Sequence, residues 1–314
     1  MRIIYYPDTL PQEGSYAATI GFFDGVHRGH RHVIESLRLL AAERHLQTMA
    51  VTFDRHPRQV VQPQWQPLLL TTLPDKLALL AETGIDVAVV LRFDAAMAAL
   101  SAREFMQHVL KERLRVGLLL TGYDNRFGHN RSEGFADYVG FGRQMGIDVV
   151  GATPCEEDGC RFSSSLIRQH IAHGRIEQAN VCLGRCYSLG GTVGHGEQIG
   201  RTIGFPTANI VAEDSCLLVP PFGVYAVRVS LPDLDTPASA LNGIMNIGMR
   251  PTFNGHEPTM EVHVLGFEGN LYGRKITVEF VARLRDERAF DTPEALALQM
   301  GKDTEQALKV LNQQ

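Results

Sequence analysis

A change of rhythm constrains this chain more than any other feature. Between residues 17 and about 183, short apolar runs rich in Val, Ile and Leu (17–20, 48–53, 85–91, 116–121 and 147–151) alternate with helix-periodic segments at 30–45, 74–83, 101–113 and 133–145. Short apolar runs without alternation suit parallel strands buried on both faces. Their alternation with helices predicts a doubly wound, Rossmann-like α/β sheet, which binds ligands beyond the carboxyl ends of its strands. Ser101 with Glu104 three residues later predicts a capping box at one helix start. The stretch after Ser163 reads as two short helices broken at Gly174. From about residue 186 the pattern switches to consecutive strands: CYSLGGTV, GVYAVRVS, SALNGIMNIG, MEVHVLGF and KITVEFVARL. Gly and Pro turns separate them, as in a small β-barrel. Thr292 as cap and Pro293 as first helical residue predict a closing helix to about Asn312. The expected organisation is two domains, 1–184 and 185–314.

Composition narrows the partners. Net charge is −5, so no global basic field recruits nucleic acid, and an anionic ligand must be held by local groups. No run approaches the roughly 20 apolar residues that span a bilayer, and the N-terminus lacks the apolar core of a signal peptide. The five cysteines are odd in number and contain no CxxC pair. Together these predict a cytoplasmic protein without membrane or nucleic-acid partners. No pattern sets an oligomeric state.

The polar clusters of the first half fall largely just after predicted strands. GFFDGVHRGH (21–30) places His27 and His30 on either side of Gly29 where a strand hands over to a helix. A helix N-terminus offers free N–H groups and partial positive charge to phosphate, and imidazoles three apart can address one anion. Such a site suits a triphosphate whose pyrophosphate leaves. His56-Pro57 follows the second run, and Asp124, Asn125, Arg126 and Arg131 follow the fourth. Ser163, Ser164 and Arg168 sit at the start of a later helix. Each cluster alone could be a solvated loop.

The second half carries GHGEQIGRTIGFPTANI (194–210), which fits neither the Walker A nor the G-x-G-x-x-G template. Its glycines, Gly200 beside Arg201 among them, could cradle phosphates or simply form a hairpin. If 205–210 is extended, Thr207 and Asn209 project to one face and offer hard, neutral oxygens suited to Mg²⁺ with nucleotide phosphates. Glu261 and His263 share a face of an alternating strand, and Arg250 lies upstream. A lone strand glutamate is ordinarily solvent-facing.

The motifs G-x-F-D-G-x-H-x-G-H (21–30, spanning Gly21, Phe22, Asp24 and Gly29), H-P (56–57), G-x-D-x-R-F-G (122–128) and S-S-S-L-I-R (163–168) resemble the adenylyltransferase module of bacterial FAD synthetases. The resemblance implies transfer of AMP from ATP to FMN. His27 and His30 would then bind the triphosphate, Asn125 and Arg126 the FMN phosphate and nucleotide, and Ser163, Ser164 and Arg168 further phosphates. Arg55 stands where that family often has Pro, and Asn125 where it often has Phe. G-R-x-x-G-F-P-T-A-N, G-V-Y-A-V, N-I-G-x-R-P-T-F, Glu before V-H-x-L, and L-R-D-E before F-D resemble riboflavin kinases. That resemblance implies Mg²⁺ and ATP at Thr207 and Asn209, Glu261 as general base, and Arg285 with the closing helix beside the flavin. The order is that of bifunctional riboflavin kinase/FAD synthetases, with riboflavin, FMN and ATP as substrates. Adenylyltransferases for other cofactor precursors share the HxGH logic but need no PTAN barrel. A flavin-responsive regulator would be expected to have lost these reactive groups.

Overall fold

A computed structural model describes every residue except 9–13, 63, 67, 123–124, 154–155, 158–159, 196–199, 201–203, 232–239, 253–254 and 314. Side chains are not described at 156–157, 160–161, 250–252 and 255–258. The chain divides into two compact units, Met1–Ser164 and Ser165–Gln314.

The first unit is built on six parallel strands: β1 (Arg2–Tyr6), β2 (Tyr16–Ile20), β3 (Gln47–Phe53), β4 (Val87–Leu91), β5 (Val116–Thr121) and β6 (Asp148–Gly151). Their order is β1-β4-β3-β2-β5-β6. Every residue of β2 and β4 is buried, because helices cover both faces of the sheet. Period-2 alternation splits each strand between two cores: Val87, Val89 and Leu91 enter one, Ala88 and Val90 the other. Strand order reverses on either side of β2, so the switch point of the sheet lies at the carboxyl end of that strand.

The expected helices are present as α1 (Arg28–Glu43), α3 (Leu73–Ala81), α5 (Ala102–Glu104) and α6 (Phe135–Met145). The Ser101–Glu104 capping box opens α5, which continues as a π-helix over Phe105–Arg113. The single turns α2 (Pro57–Val61) and α4 (Ala95–Ala99) are too short to show a helical period in sequence. Strand β1 is an addition to the expected pattern. It is an edge strand whose Ile4 is buried while Ile3 and Tyr5 are exposed, so it lacks the continuous apolar run of its neighbours. A two-stranded hairpin, β7 (Glu156–Glu157) and β8 (Cys160–Arg161), follows β6.

The second unit begins one residue into α7, which spans Ser164–Ala172, and continues with α8 (Ile176–Leu183); Gly174 separates the two helices in the left-handed region at φ 68°. The barrel strands are β9 (Tyr187–Gly194), β10 (Ala208–Ala212), β11 (Gly223–Ser230), β12 (Leu241–Thr252), β13 (Gly255–Val264) and β14 (Lys275–Arg285). They close in the order β10-β13-β12-β11-β14-β9, each pair antiparallel. Closure leaves no free sheet edge. Helix α9 (Pro293–Leu311), capped by Thr292, seals one side: Ala307 and Leu311 pack on Val224, Ala226, Ile244 and Val281.

The division into units places α8 with the barrel rather than with the residues before 184. The Asn180 amide donates to the Phe280 carbonyl of β14 (2.8 Å), and its Oδ1 accepts from the Tyr187 N–H of β9 (2.7 Å). Ile176, Ala179 and Leu183 of the same helix are fully buried.

Candidate active sites

The decapeptide 21–30 occupies the switch point at the end of β2. Gly21 continues the strand by donating to Val51 O (3.0 Å), and a side chain there would meet the Phe23 ring. The chain then turns sharply. Phe23 (φ 54°) and Val26 (φ 39°) both adopt left-handed conformations, which for a β-branched residue is a strained state of the kind found at functional sites. Asp24 fixes the turn: its buried carboxylate accepts from the Leu70 N–H (2.9 Å) and the Thr71 N–H (3.2 Å). The Ser164 hydroxyl donates to Asp24 O (3.0 Å), bringing the serine motif to the same turn. Ser163 precedes it in the first unit, whereas Arg168 lies on α7 in the second.

His27 is the N-cap of α1, its Nδ1 accepting from the His30 N–H (3.4 Å). The two imidazoles stack, centroids 3.7 Å apart and planes 20° from parallel. Gly29 is required because a Cβ would press on the His27 ring and the Phe162 carbonyl, both about 3.1 Å away. The glycine thus makes room for the histidine pair itself.

Beside this pair, a cavity of about 140 Å³ has an aromatic interior, Phe22, Phe53, Phe93, Phe105 and Phe127, and a polar rim of His56, Asn125, Arg126 and Arg131. His56 caps α2, its Nδ1 accepting from the Arg58 N–H (3.1 Å), and its ring stands edge-on to Phe22 at 4.8 Å. The Asn125 amide donates to Ile20 O, tying the loop after β5 to the end of β2. A planar apolar group with a phosphate at its polar end matches this lining.

Burial, with His27 and Lys76 nearby, holds the His30 imidazole well below its ordinary value. The unfolded chain takes up that proton near pH 6.5 and the folded chain does not, so the unfolded state binds more protons in mild acid. Stability of the first unit is therefore expected to fall as pH drops below about 6.5. His30→Gln should flatten that slope between about pH 6.5 and 5, read as the urea midpoint at each pH.

Lys76 of α3 stands behind the wall of the aromatic cavity. Its side chain is 3% exposed, its Nζ donates to Phe53 O (3.0 Å) and lies 4.2 Å over the Phe22 ring. Burial brings its ammonium down to about 8, partly offset by the Asp24 and Asp54 carboxylates. Keeping it charged at neutral pH costs the fold on the order of 3 kcal/mol. A signal was present: Lys76 falls within the apolar stripe of Leu73, Leu77 and Leu80 at helical spacing.

The barrel carries the second constellation. Glu261 of β13 pairs with Asn209 of β10 on one side and with Asn246 of β12 on the other, so three polar side chains share a face across three strands. Asn246, also unforeseen from sequence, is legible only once β12 is paired with β13. Glu261 is half-buried rather than solvent-facing. With Asn246, His263, Gly200 and Thr207 it lines a cavity of about 340 Å³ whose other wall is Arg285, Phe290, Leu296 and Met300. Arg285 is fixed by a fork to the buried Asp303 of α9 (Nη2 to Oδ2 2.8 Å, Nε to Oδ1 3.0 Å), itself held by Gln299 (2.7 Å). A second cavity, of about 540 Å³, is walled by Val193, Ala208, Val262, Phe267 and Tyr272. Thr207 lines both cavities. Arg201 and the side chain of Arg250 lie outside the described residues.

Two family descriptions match the two halves: FAD synthetase over residues 10–166 and riboflavin kinase over 183–311. The bifunctional riboflavin kinase/FMN adenylyltransferase of Escherichia coli strain K12 is 38% identical over 96% of this chain and 95% of its own. The protein of that name from Bacillus subtilis strain 168 is 34% identical over 95% and 93%. A solved structure described as a macrolide-efflux protein from Streptococcus pneumoniae superimposes with a TM-score of 0.85, at 27% identity, over 97% of this chain and 98% of that one. Among the described residues no helix is long and apolar enough to cross a membrane. With both modules matched in order and relatives aligned over nearly its whole length, the chain belongs to the bifunctional riboflavin kinase/FMN adenylyltransferases, enzymes of flavin cofactor synthesis.

Proposed function

We propose that the barrel unit phosphorylates riboflavin with ATP at the junction marked by Thr207, and that the sheet unit transfers AMP from ATP to FMN at the histidine pair. The observation that carries the first half is that Thr207 lines both barrel cavities, one suited to a nucleotide and one with an apolar wall suited to a flavin. Glu261, in the same cavity, accepts the proton of the ribityl hydroxyl as it attacks the γ-phosphorus of ATP, and ADP leaves. Arg285, immobilised by Asp303, and the Phe290–Met300 wall hold the flavin. Thr207 and Asn209 would hold Mg²⁺. They offer only two neutral oxygens, and no group of three or more His, Cys, Asp or Glu side chains among the described residues could hold a metal. That donor set fits an ion whose remaining ligands arrive as nucleotide phosphates. When bound, the ion would neutralise phosphate charge.

In the sheet unit the FMN phosphate, already ionised, attacks the α-phosphorus of ATP and pyrophosphate leaves, so no general base is needed. His27, His30 and the N-terminus of α1 stabilise the departing charge. Gly21, Phe22, Arg126 and the aromatic cavity seat the flavin end, while Ser163 and Ser164 serve the phosphates. Asp24 shapes the turn that carries the histidines. The cytoplasm is the location that fits a chain whose five cysteines are odd in number and contain no CxxC pair. Incubation with riboflavin, ATP and Mg²⁺, followed by chromatography, should yield FMN and then FAD; FMN with ATP should yield FAD alone.

We further propose that the kinase fragment able to stand alone begins near Ser165. A fragment from residue 185 lacks α8, leaves the Phe280 carbonyl without the Asn180 amide, and uncovers the surface under Ile176 and Leu183. Losing burial worth about 1.5–3 kcal/mol for each of those two side chains should lower its melting temperature sharply or make it insoluble. Thermal scans of the two fragments compare them directly.

A further inference from the structure

Lys76 is a buried cation that neither proposed reaction uses. It touches three separate parts of the sheet unit's site. Its ammonium donates to Phe53 O at the carboxyl end of β3, lies on the Phe22 ring from the loop after β2, and acts on His30 of α1 through space. Phe22 in turn meets His56 edge-on, and Phe22, Phe53 and His56 all line the aromatic cavity. Lys76 itself is absent from that lining. It stands behind the wall, linking the flavin end of the site to its histidine end. The charged and titratable groups facing it are Asp24 from the turn after β2, Asp54 from the turn after β3, and His30, behind which His27 stacks. Among the described residues it forms no ion pair within contact distance.

We infer that Lys76 is a positioning residue for adenylyl transfer: its buried positive charge orients Phe22 and the end of β3 and provides a fixed field that favours phosphate beside His27 and His30. This rests on the sheet unit being the transferase. A tie whose only task was to hold β3 to α3 would need no charge, since an apolar side chain of the same length fills such a space at lower cost. The charge costs nothing extra when the substrates arrive, because it is fixed in place before the polyanion binds.

Two measurements test this. Burial brings the Lys76 ammonium down to about 8. The kcat/KM for FAD formation from FMN by the native protein, which reports groups of the free enzyme, is therefore expected to decline on a basic limb near that pH, measured at sub-saturating substrate from about pH 7 to 9.5. Lys76→Met keeps the stem and removes the charge. It should lower kcat for FAD formation roughly tenfold or more at neutral pH, abolish the basic limb, and leave the melting temperature of the sheet unit unchanged or raised. Lys76→Arg, if folded, should carry the plateau through pH 9.5. A flat profile in the native protein overturns the inference, as does Lys76→Met with native kcat. So does a variant that loses stability and activity together while keeping the basic limb, which marks a purely structural tie. A native protein that makes no FAD at any pH refutes instead the transferase reading on which the inference rests.

Discussion

Glu261→Gln is expected to stop FMN production from riboflavin while conversion of FMN to FAD proceeds at the native rate. Glutamine preserves the shape of the side chain and its place between Asn209 and Asn246 on the three-strand face. It cannot take up the ribityl hydroxyl proton. The loss should be about 10²- to 10⁴-fold in kcat, the usual contribution of a general base, with the KM values for riboflavin and ATP little changed. A glutamate serving only to polarise the cavity would show the reverse split, a raised KM with kcat intact. Because the two units have separate cores, FAD formation from supplied FMN reports whether the variant is otherwise sound.

How much of this was legible before the structure depends on whether the signal is local. Strands β2 to β6 were readable because each is apolar on both faces, a property of consecutive residues. Strand β1 was not, since an edge strand with Ile3 and Tyr5 exposed carries no such run. The caps at Ser101 and Thr292 were readable because capping is a contact across three residues. His27 and His30 were legible for the same reason, lying within one turn of each other. Asn246 was not, because it meets Glu261 only through a register set by the β12–β13 pairing. Asp303 was hidden likewise: a buried aspartate in an amphipathic helix declares itself only when Arg285 is brought against it. Lys76 is the instructive case. Its position in the stripe of Leu73, Leu77 and Leu80 was visible, but a lysine is expected to send its charge to solvent, and here it does not.

The same distinction governs the domain boundary. Composition changes near residue 184, where helices give way to strands, and a reading of rhythm divides the chain there. The riboflavin kinase match begins at residue 183, in step with that reading, whereas the compact units divide after Ser164. Asn180 serves the backbone of β9 and β14 at once, so α8 is bound to the barrel by bonds that only tertiary structure reveals.

The two reactions differ in what they demand of the protein, and the two sites differ accordingly. A hydroxyl nucleophile needs a base, and the barrel cavity contains a half-buried carboxylate. A phosphate nucleophile needs none, and the described part of the decapeptide's site offers imidazoles, helix N–H groups and a buried ammonium. His30→Ala is therefore expected to abolish FAD formation while riboflavin phosphorylation continues, with accumulation of FMN as the chromatographic signature. His30 stacks on His27 and is held neutral at physiological pH, so the role proposed for it is a hydrogen bond to charge that develops on the departing pyrophosphate rather than a permanent ion pair. Removing a donor of this kind costs about 10²- to 10³-fold in rate. The alanine also leaves the His27 ring without its stacking partner, so His30→Gln, which retains an N–H donor, separates the loss of packing from the loss of the bond. Partial recovery in the glutamine variant supports the donor role. Equal loss in both variants with an unchanged melting temperature would point to the imidazole ring itself, and equal loss of kinase activity would refute the assignment of the two reactions to separate sites.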